Sequence, residues 1–157
     1  MRSIAALAVS FALLAAAGAS AAGDGRVVPQ QGIAGLRLGM TQAQVKARVG
    51  LPRRVERGAN DIGAYSTYLY RTYTVTFFAG PRVTQIETRS PKERTAGGIG
   101  VGSTRAAVKA GVPGVRCVRE FEYDHCYVGA WKPGGVITDF SLRNGQVWRV
   151  TIGYVID

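Results

Sequence analysis

"LRLGMTQAQVKARVGLPRRV", residues 36–55, decides the reading of the chain because a second stretch repeats it. Shifted by 63 positions, it lies over "IGVGSTRAAVKAGVPGVRCV", residues 99–118. Gly39, Thr41, Ala43, Val45, Lys46, Ala47, Val49, Arg53 and Val55 meet Gly102, Thr104, Ala106, Val108, Lys109, Ala110, Val112, Arg116 and Val118, nine identities in twenty ungapped positions. Within each copy, an apolar-x-apolar-Gly step leads into a Ser/Thr and then a helical pattern. Thr41 with Gln44 three residues on is a capping box. Val45 with Val49, and Val108 with Val112, share one helical face. Pro52 and Pro113 end the helices.

The glycines of "GGIGVGSTR", residues 97–105, raise the question of a phosphate cradle. Their G-x-G-x-G spacing is neither the dinucleotide fingerprint nor the P-loop, and no Gly-Lys-Ser/Thr follows. The stretch reads as the start of the second helix.

Working outward, each helix is followed by strand patterns rich in aromatic and β-branched residues. "YSTYLYR", "YTVTFFA" and "RVTQIETR" form one set; "CYVGAW", "GVITDFSLR" and "QVWRVTIGYV" form the other. Asn144-Gly145 marks a tight hairpin. Alternation turns Tyr73, Val75, Phe77, Ile86, Val136, Phe140, Leu142, Trp148, Val150 and Ile152 toward the helices. It turns Thr74, Thr76, Gln85, Glu87, Arg89, Asp139, Ser141, Arg149 and Thr151 toward solvent. Residues 54–63 and 118–126 read as helix-to-strand connections. The expected fold is therefore α+β: a tandem repeat of two units, residues 27–89 and 99–157, joined by a polar linker over 90–98. Each unit would hold a short helix on a roughly three-stranded antiparallel sheet. The two sheets would either join into one concave surface or stand apart.

Residues 1–22 have the order of a secretory signal peptide: Arg2, an apolar run, then small residues around Ala19 and Ala21. The alternative is an uncleaved anchor, although the run is short for a bilayer span of ~20 residues. No later segment has the apolar length of a membrane helix, so none is expected after cleavage. The formal net charge is +10, with sixteen Arg against four Lys. This excess is either a solvated surface typical of an Ala-, Gly- and Arg-rich chain or an attraction to anionic partners. Arg48, Arg53, Arg54 and Arg57 cluster around the end of the first helix. Export argues against nucleic acid as a partner. Cys117 and Cys126, the only cysteines, read as a disulfide in an exported chain. The competing reading joins them to Asp124 and His125 as a metal site, but the spacing fits no standard zinc pattern.

The "LGMT…V…G-x-P" pattern and the aromatic strands resemble the superfamily of the β-lactamase inhibitory proteins and the small outer-membrane assembly lipoproteins of the SmpA/OmlA (BamE) type. The resemblance implies short helices packed on antiparallel sheet, in tandem as in the inhibitors, and a protein partner. The chain departs from the lipoproteins in lacking a lipidated cysteine, and it has fewer cysteines than the inhibitors. No inhibitory contact residue can be matched to a position here; Asp61 lies in a loop that could point at a partner.

No catalytic signature is present: one histidine, no G-x-S-x-G and no H-E-x-x-H. Glu120 and Glu122 read as a solvated acidic loop beside Arg116 and Arg119. The expectation is a non-catalytic exported module that binds a protein in an inhibitor-like or envelope-assembly role, with no cofactor. Tyr65, Tyr68, Tyr70, Arg71 and Trp131 are its candidate anchors, since aromatic and arginine side chains dominate interfaces. The alternatives are an electrostatic binder of anionic envelope polymer or lipid, and a structural envelope protein with no discrete ligand.

Overall fold

The structure, a computed structural model, describes residues 26–120 and 122–156. The leader at 1–22 lies outside the described residues. The architecture is dominated by strands. Three two-residue strands, β1 (Val27–Val28), β2 (Gly32–Ile33) and β3 (Leu36–Arg37), form a small antiparallel sheet. Helix α1 (Gln42–Val49) follows, then β4 (Arg54–Asn60), β5 (Gly63–Leu69), β6 (Tyr73–Phe78) and β7 (Val83–Thr88). Helix α2 (Arg105–Gly111) leads into β8 (Arg116–Glu120), β9 (Tyr123–Gly129), β10 (Val136–Arg143) and β11 (Gln146–Tyr154).

These last eight strands make one sheet in the order β4-β5-β6-β7-β11-β10-β9-β8, every neighbouring pair antiparallel. The fold is thus mostly β, and the expectation of two α+β units in tandem is overturned. Strand content overturns it: among the described residues eleven strands stand against two short helices, and each half supplies four strands where about three were expected. Of the two arrangements left open for the sheets, the joined one is found: the sheet runs without a break through β7 and β11, where Ile86 faces Ile152 and Thr88 faces Val150. The segments 54–63 and 118–126, expected as connections, hold β4 and the β8–β9 hairpin. Their charges and glycine mask the strand period. Both β4 and β8 are edge strands, where charged side chains are tolerated and discourage pairing with other chains.

The helices are short, eight and seven residues. Such helices have little stability alone and depend on packing. Thr41 caps α1, its hydroxyl accepting from Gln44 N–H while Gln44 Oε1 accepts from Thr41 N–H, as the capping box predicts. Thr104 caps α2 through Ala107 N–H. Ahead of each cap, Gly39 and Gly102 sit at φ 80° and 90°, a region that disfavours other residues. Each donates its N–H to a sheet strand, Gly39 to Val83 O and Gly102 to Val147 O. The glycines of residues 97–105 therefore serve a backbone turn that ties α2 to the sheet.

One face of the sheet is covered by the helices and the small sheet. Val45 and Val108 from the helices, and Ile33 and Leu36 from the small sheet, are fully buried with Val75, Phe77, Val83, Ile86, Phe140, Val150 and Ile152. A bulge between Ser141 and Leu142 shifts the register of β10 with β11. Val147 takes the buried position, and Trp148, expected among the core residues, instead stands among arginines. Segment 90–98 is tied down: Arg94 donates to the carbonyls of Pro91, Gly98 and Val101, and its own carbonyl accepts from Val27 N–H.

Cys117 and Cys126 face each other across β8 and β9 and form a disulfide. Both thiols are consumed, which removes them as metal ligands. Among the described residues no group of three His, Cys, Asp or Glu could hold a metal. The bond belongs to an oxidising compartment, as an exported protein meets. No described helix is long and apolar enough to cross a membrane.

Two stability measurements follow. Cys117→Ser/Cys126→Ser should lower stability by about 2.5–3 kcal/mol by loop entropy, read by urea unfolding. Ile86→Ala and Ile152→Ala should each cost about 2–5 kcal/mol. Their double-mutant cycle should show a coupling of about 0.5 kcal/mol or more, as residues in contact do. Strict additivity would mean that β7 and β11 do not share a sheet.

Candidate functional site

The sheet face turned away from the helices carries the chemistry. Period-two alternation places Tyr123, His125 and Tyr127 of β9, Asp139 and Ser141 of β10, and Arg149 and Thr151 of β11 on it. Register brings them together: Asp139 lies between Tyr127 and Thr151, and Ser141 between His125 and Arg149. His125 Nδ1 pairs with Asp139 Oδ2, both residues buried. The other carboxylate oxygen, Oδ1, accepts from Ser141 Oγ at 2.8 Å and from Tyr123 Oη at 3.0 Å. Ser141 Oγ in turn accepts from Arg149 Nε and a terminal guanidinium nitrogen, each at 3.2 Å.

Aromatic rings roof this network. Tyr123, Tyr127 and Trp131 lie with centroids 4.4, 5.6 and 5.2 Å from the His125 ring, and Tyr127 and Trp131 are 4.8 Å apart. Asp139 and Ser141, expected on a solvated face, are thereby buried. The trio of His125, Asp139 and Ser141 does not have the order of an activated nucleophile. The serine hydroxyl donates to the carboxylate, not to the imidazole, so the serine–histidine contact of a catalytic triad is not made. What the arrangement does is fix geometry: a satisfied buried network holds Tyr123, His125 and Arg149 in one conformation.

The sequence-predicted anchors do not converge. Tyr65 and Trp131 are both on the open side and exposed, at 37% and 49%. Tyr65 lies across Gly58 of β4, where a Cβ would come within 2.5 Å of the tyrosine hydroxyl. Tyr68 is corrected from anchor to core: it is 2% exposed, edge-on to Phe77, and donates to Gln42 Oε1 of α1. Tyr70 donates to Gly50 O and leans on Tyr73. Arg71 is exposed in the β5–β6 turn and lines a shallow cavity with Tyr70, Tyr73, Glu87 and Arg89. Of the basic cluster, Arg48 lies over Gly35, and Arg54 pairs with Glu56 at 3.1 Å on the exposed edge. Arg53 and Arg57 are exposed at that edge. Glu120 ends β8, and Glu122 lines a cleft near Asp124, which is paired with Arg105 and Arg119.

Two features were missed from sequence. The first is the Tyr123–His125–Asp139–Ser141–Arg149 network. Its signal in the sequence is the alternation Tyr123-x-His125-x-Tyr127, which a reading of 118–126 as a connection hides. The second is Trp148, with the guanidiniums of Arg89, Arg143 and Arg149 at 4.8, 4.6 and 4.7 Å from its ring centroid. Glu87 bridges Arg89, at 3.0 Å, and Arg149, at 3.6 Å.

No protein-family model matches the chain, and no curated protein matches it. Two solved structures are similar. One is an extracellular protein containing a SCP domain from Bacillus anthracis, with a TM-score of 0.52 and 10% identity over 74% of this chain. The chain spans 44% of that protein. The other is a DUF4309 family protein (YjgB) from Bacillus subtilis, with a TM-score of 0.47 and 15% identity over 86% of this chain and 91% of that one. The first shares the fold; neither is a β-lactamase inhibitory protein or an assembly lipoprotein.

Burial pushes several phenols upward. Tyr70 is raised to about 12, chiefly by desolvation and then by Tyr73 and Tyr68. Tyr73 is raised by burial and then by Glu93, and Tyr123 first by burial. Folded-state values above the unfolded ones mean that their contribution to stability is present below pH ~10 and lost as pH rises beyond it. In an alkaline titration followed by phenolate absorbance, Tyr70, Tyr73 and Tyr123 should ionise above the ordinary phenol value. Tyr70→Phe should remove the phase centred at about pH 12. Simultaneous ionisation of all seven tyrosines near the free value would contradict this environment.

Proposed function

We propose that the chain is an exported binding module that recognises a protein through the open face of its sheet. The reading rests on one observation: exposed Trp131 stands against a hydrogen-bonded base of His125, Asp139, Ser141 and Tyr123. Pre-set aromatic anchors bind with little loss of side-chain entropy. Tyr65 supplies a second exposed aromatic on the same face, toward the β4 edge. The leader-like residues 1–22 and the disulfide support export, to the periplasm or beyond the cell. The resemblance to inhibitory and envelope-assembly proteins fits a protein partner and leaves the inhibitory or assembly role as part of the proposal.

Affinity capture from the envelope and medium of the source organism, with cross-linking and at low and high salt, tests it. A specific protein should be retained at high salt and lost with Trp131→Ala, a change expected to weaken binding by about 2 kcal/mol or more, as for a hot-spot residue. Recovery of no protein, or retention indifferent to Trp131, would refute the reading. Capture that vanishes with moderate salt would favour electrostatic adhesion to an anionic surface, since exposed charges are screened beyond ~8–10 Å.

A further inference from the structure

We infer that the cleft beside Trp148 is a subsite for a carboxylate side chain of an acidic peptide segment. This inference rests on the protein-binding reading above and names the chemistry of one contact. The cleft lies between the β8–β9 and β10–β11 turns and encloses about 440 Å³. Trp148, Arg143, Arg119, Asn144, Glu122 and Tyr123 are among its walls.

The charge arrangement is what calls for a ligand. Three guanidiniums stand within 5 Å of one indole centroid. Cation–π attraction holds each of them, but mutual repulsion remains. Glu87 relieves two, bridging Arg89 and Arg149. Arg143 has no carboxylate partner among the described residues, and it is the one of the three that lines the cleft. Glu87 thus shows the group this cluster accepts, and a second carboxylate at Arg143 would complete the set. A guanidinium fork suits a carboxylate by two parallel hydrogen bonds. Arg119 lines the same cleft, already paired with Asp124 at 3.2 Å, so it adds field without a free fork. Glu122 and Asp124 on the walls disfavour a dense polyanion, which would bring many charges against them. A single carboxylate on a peptide meets less of that repulsion and gains the Arg143 fork.

The probe is a short synthetic peptide of alternating Gly and Glu, with its Gly-Gln counterpart and inorganic polyphosphate as further arms. The readout is the two indole N–H resonances of the ¹⁵N-labelled protein at ~20 mM salt, where surface attraction is little screened. The acidic peptide should shift the Trp148 signal saturably and leave Trp131 in place; the Gln peptide should shift neither. Arg143→Gln should weaken binding roughly tenfold or more, the loss of the charge-assisted fork. Arg143→Lys keeps the charge without the fork and should fall between. Arg53→Gln/Arg57→Gln, on the far edge, should change nothing.

No Trp148 shift, equal weakening by the far-edge pair, or tighter binding of polyphosphate than of the peptide would each overturn the subsite. A failed peptide titration alongside intact Trp131-dependent capture removes the subsite alone. Failed capture with a specific peptide response removes the protein-recognition surface at Trp131 instead.

Discussion

Antiparallel pairing of β7 with β11 is the constraint on which the rest of the molecule depends. Each of these strands closes a four-stranded meander, and each receives a hydrogen bond from the loop ahead of a helix. Val83, Ile86, Val147, Val150 and Ile152 on them are buried almost completely and form the middle of the core. A helix of two turns cannot persist unless its apolar face finds such a surface. Val45 and Val108 find it through the loops that Val83 and Val147 anchor. Separation of the two strands would expose two new edges and strip both helices of their common support.

The same pairing dictates what the open face displays. Since side chains alternate strictly, burying Ile86 and Ile152 on one side obliges Glu87, Arg149 and Thr151 to the other. The bulge beyond Ser141 then lifts Trp148 out of the core and into the arginine cluster. The arginines at Trp148 and the network at Asp139 are thus joined through one residue: Arg149 touches the indole and also donates to Ser141. A change in the position of Arg149 would be felt at both places. The buried carboxyl group is satisfied there because its two oxygens meet a serine, a tyrosine and an imidazole, as a polar group removed from water requires.

The sequence made the local structure readable where one residue type has one physical use. Thr41 with Gln44 marked a helix start, Asn144-Gly145 marked a hairpin, and two cysteines in an exported chain marked a disulfide. The apolar alternation of β6, β10 and β11 was equally plain, except at Trp148, where a bulge breaks the period without any local signal. What was not readable was global. The likeness of residues 36–55 to 99–118 says that two segments behave alike; it cannot say that the strands after them fuse into one sheet, because pairing of β7 with β11 is a long-range contact. Edge strands β4 and β8 were hidden for the opposite reason: their charges serve solubility, so they lack the pattern of a strand. With β8 and the start of β9 read as a connection, the faces of Tyr123 and His125 went unassigned, and the site with them.

Net charge, prominent in the sequence, says less about the surface than its placement does. Arg53, Arg54 and Arg57 lie on or beside the edge strand β4, and Arg116 and Arg119 on the edge strand β8. Cations there discourage edge-to-edge association whatever the protein binds. They would be expected on any exported sheet with two open edges. Arg89, Arg143 and Arg149 are different, because no edge is protected by drawing three like charges to a single indole. Their convergence costs repulsion that solubility alone does not explain. It is on that excess, not on the total of +10, that the proposed carboxylate subsite rests.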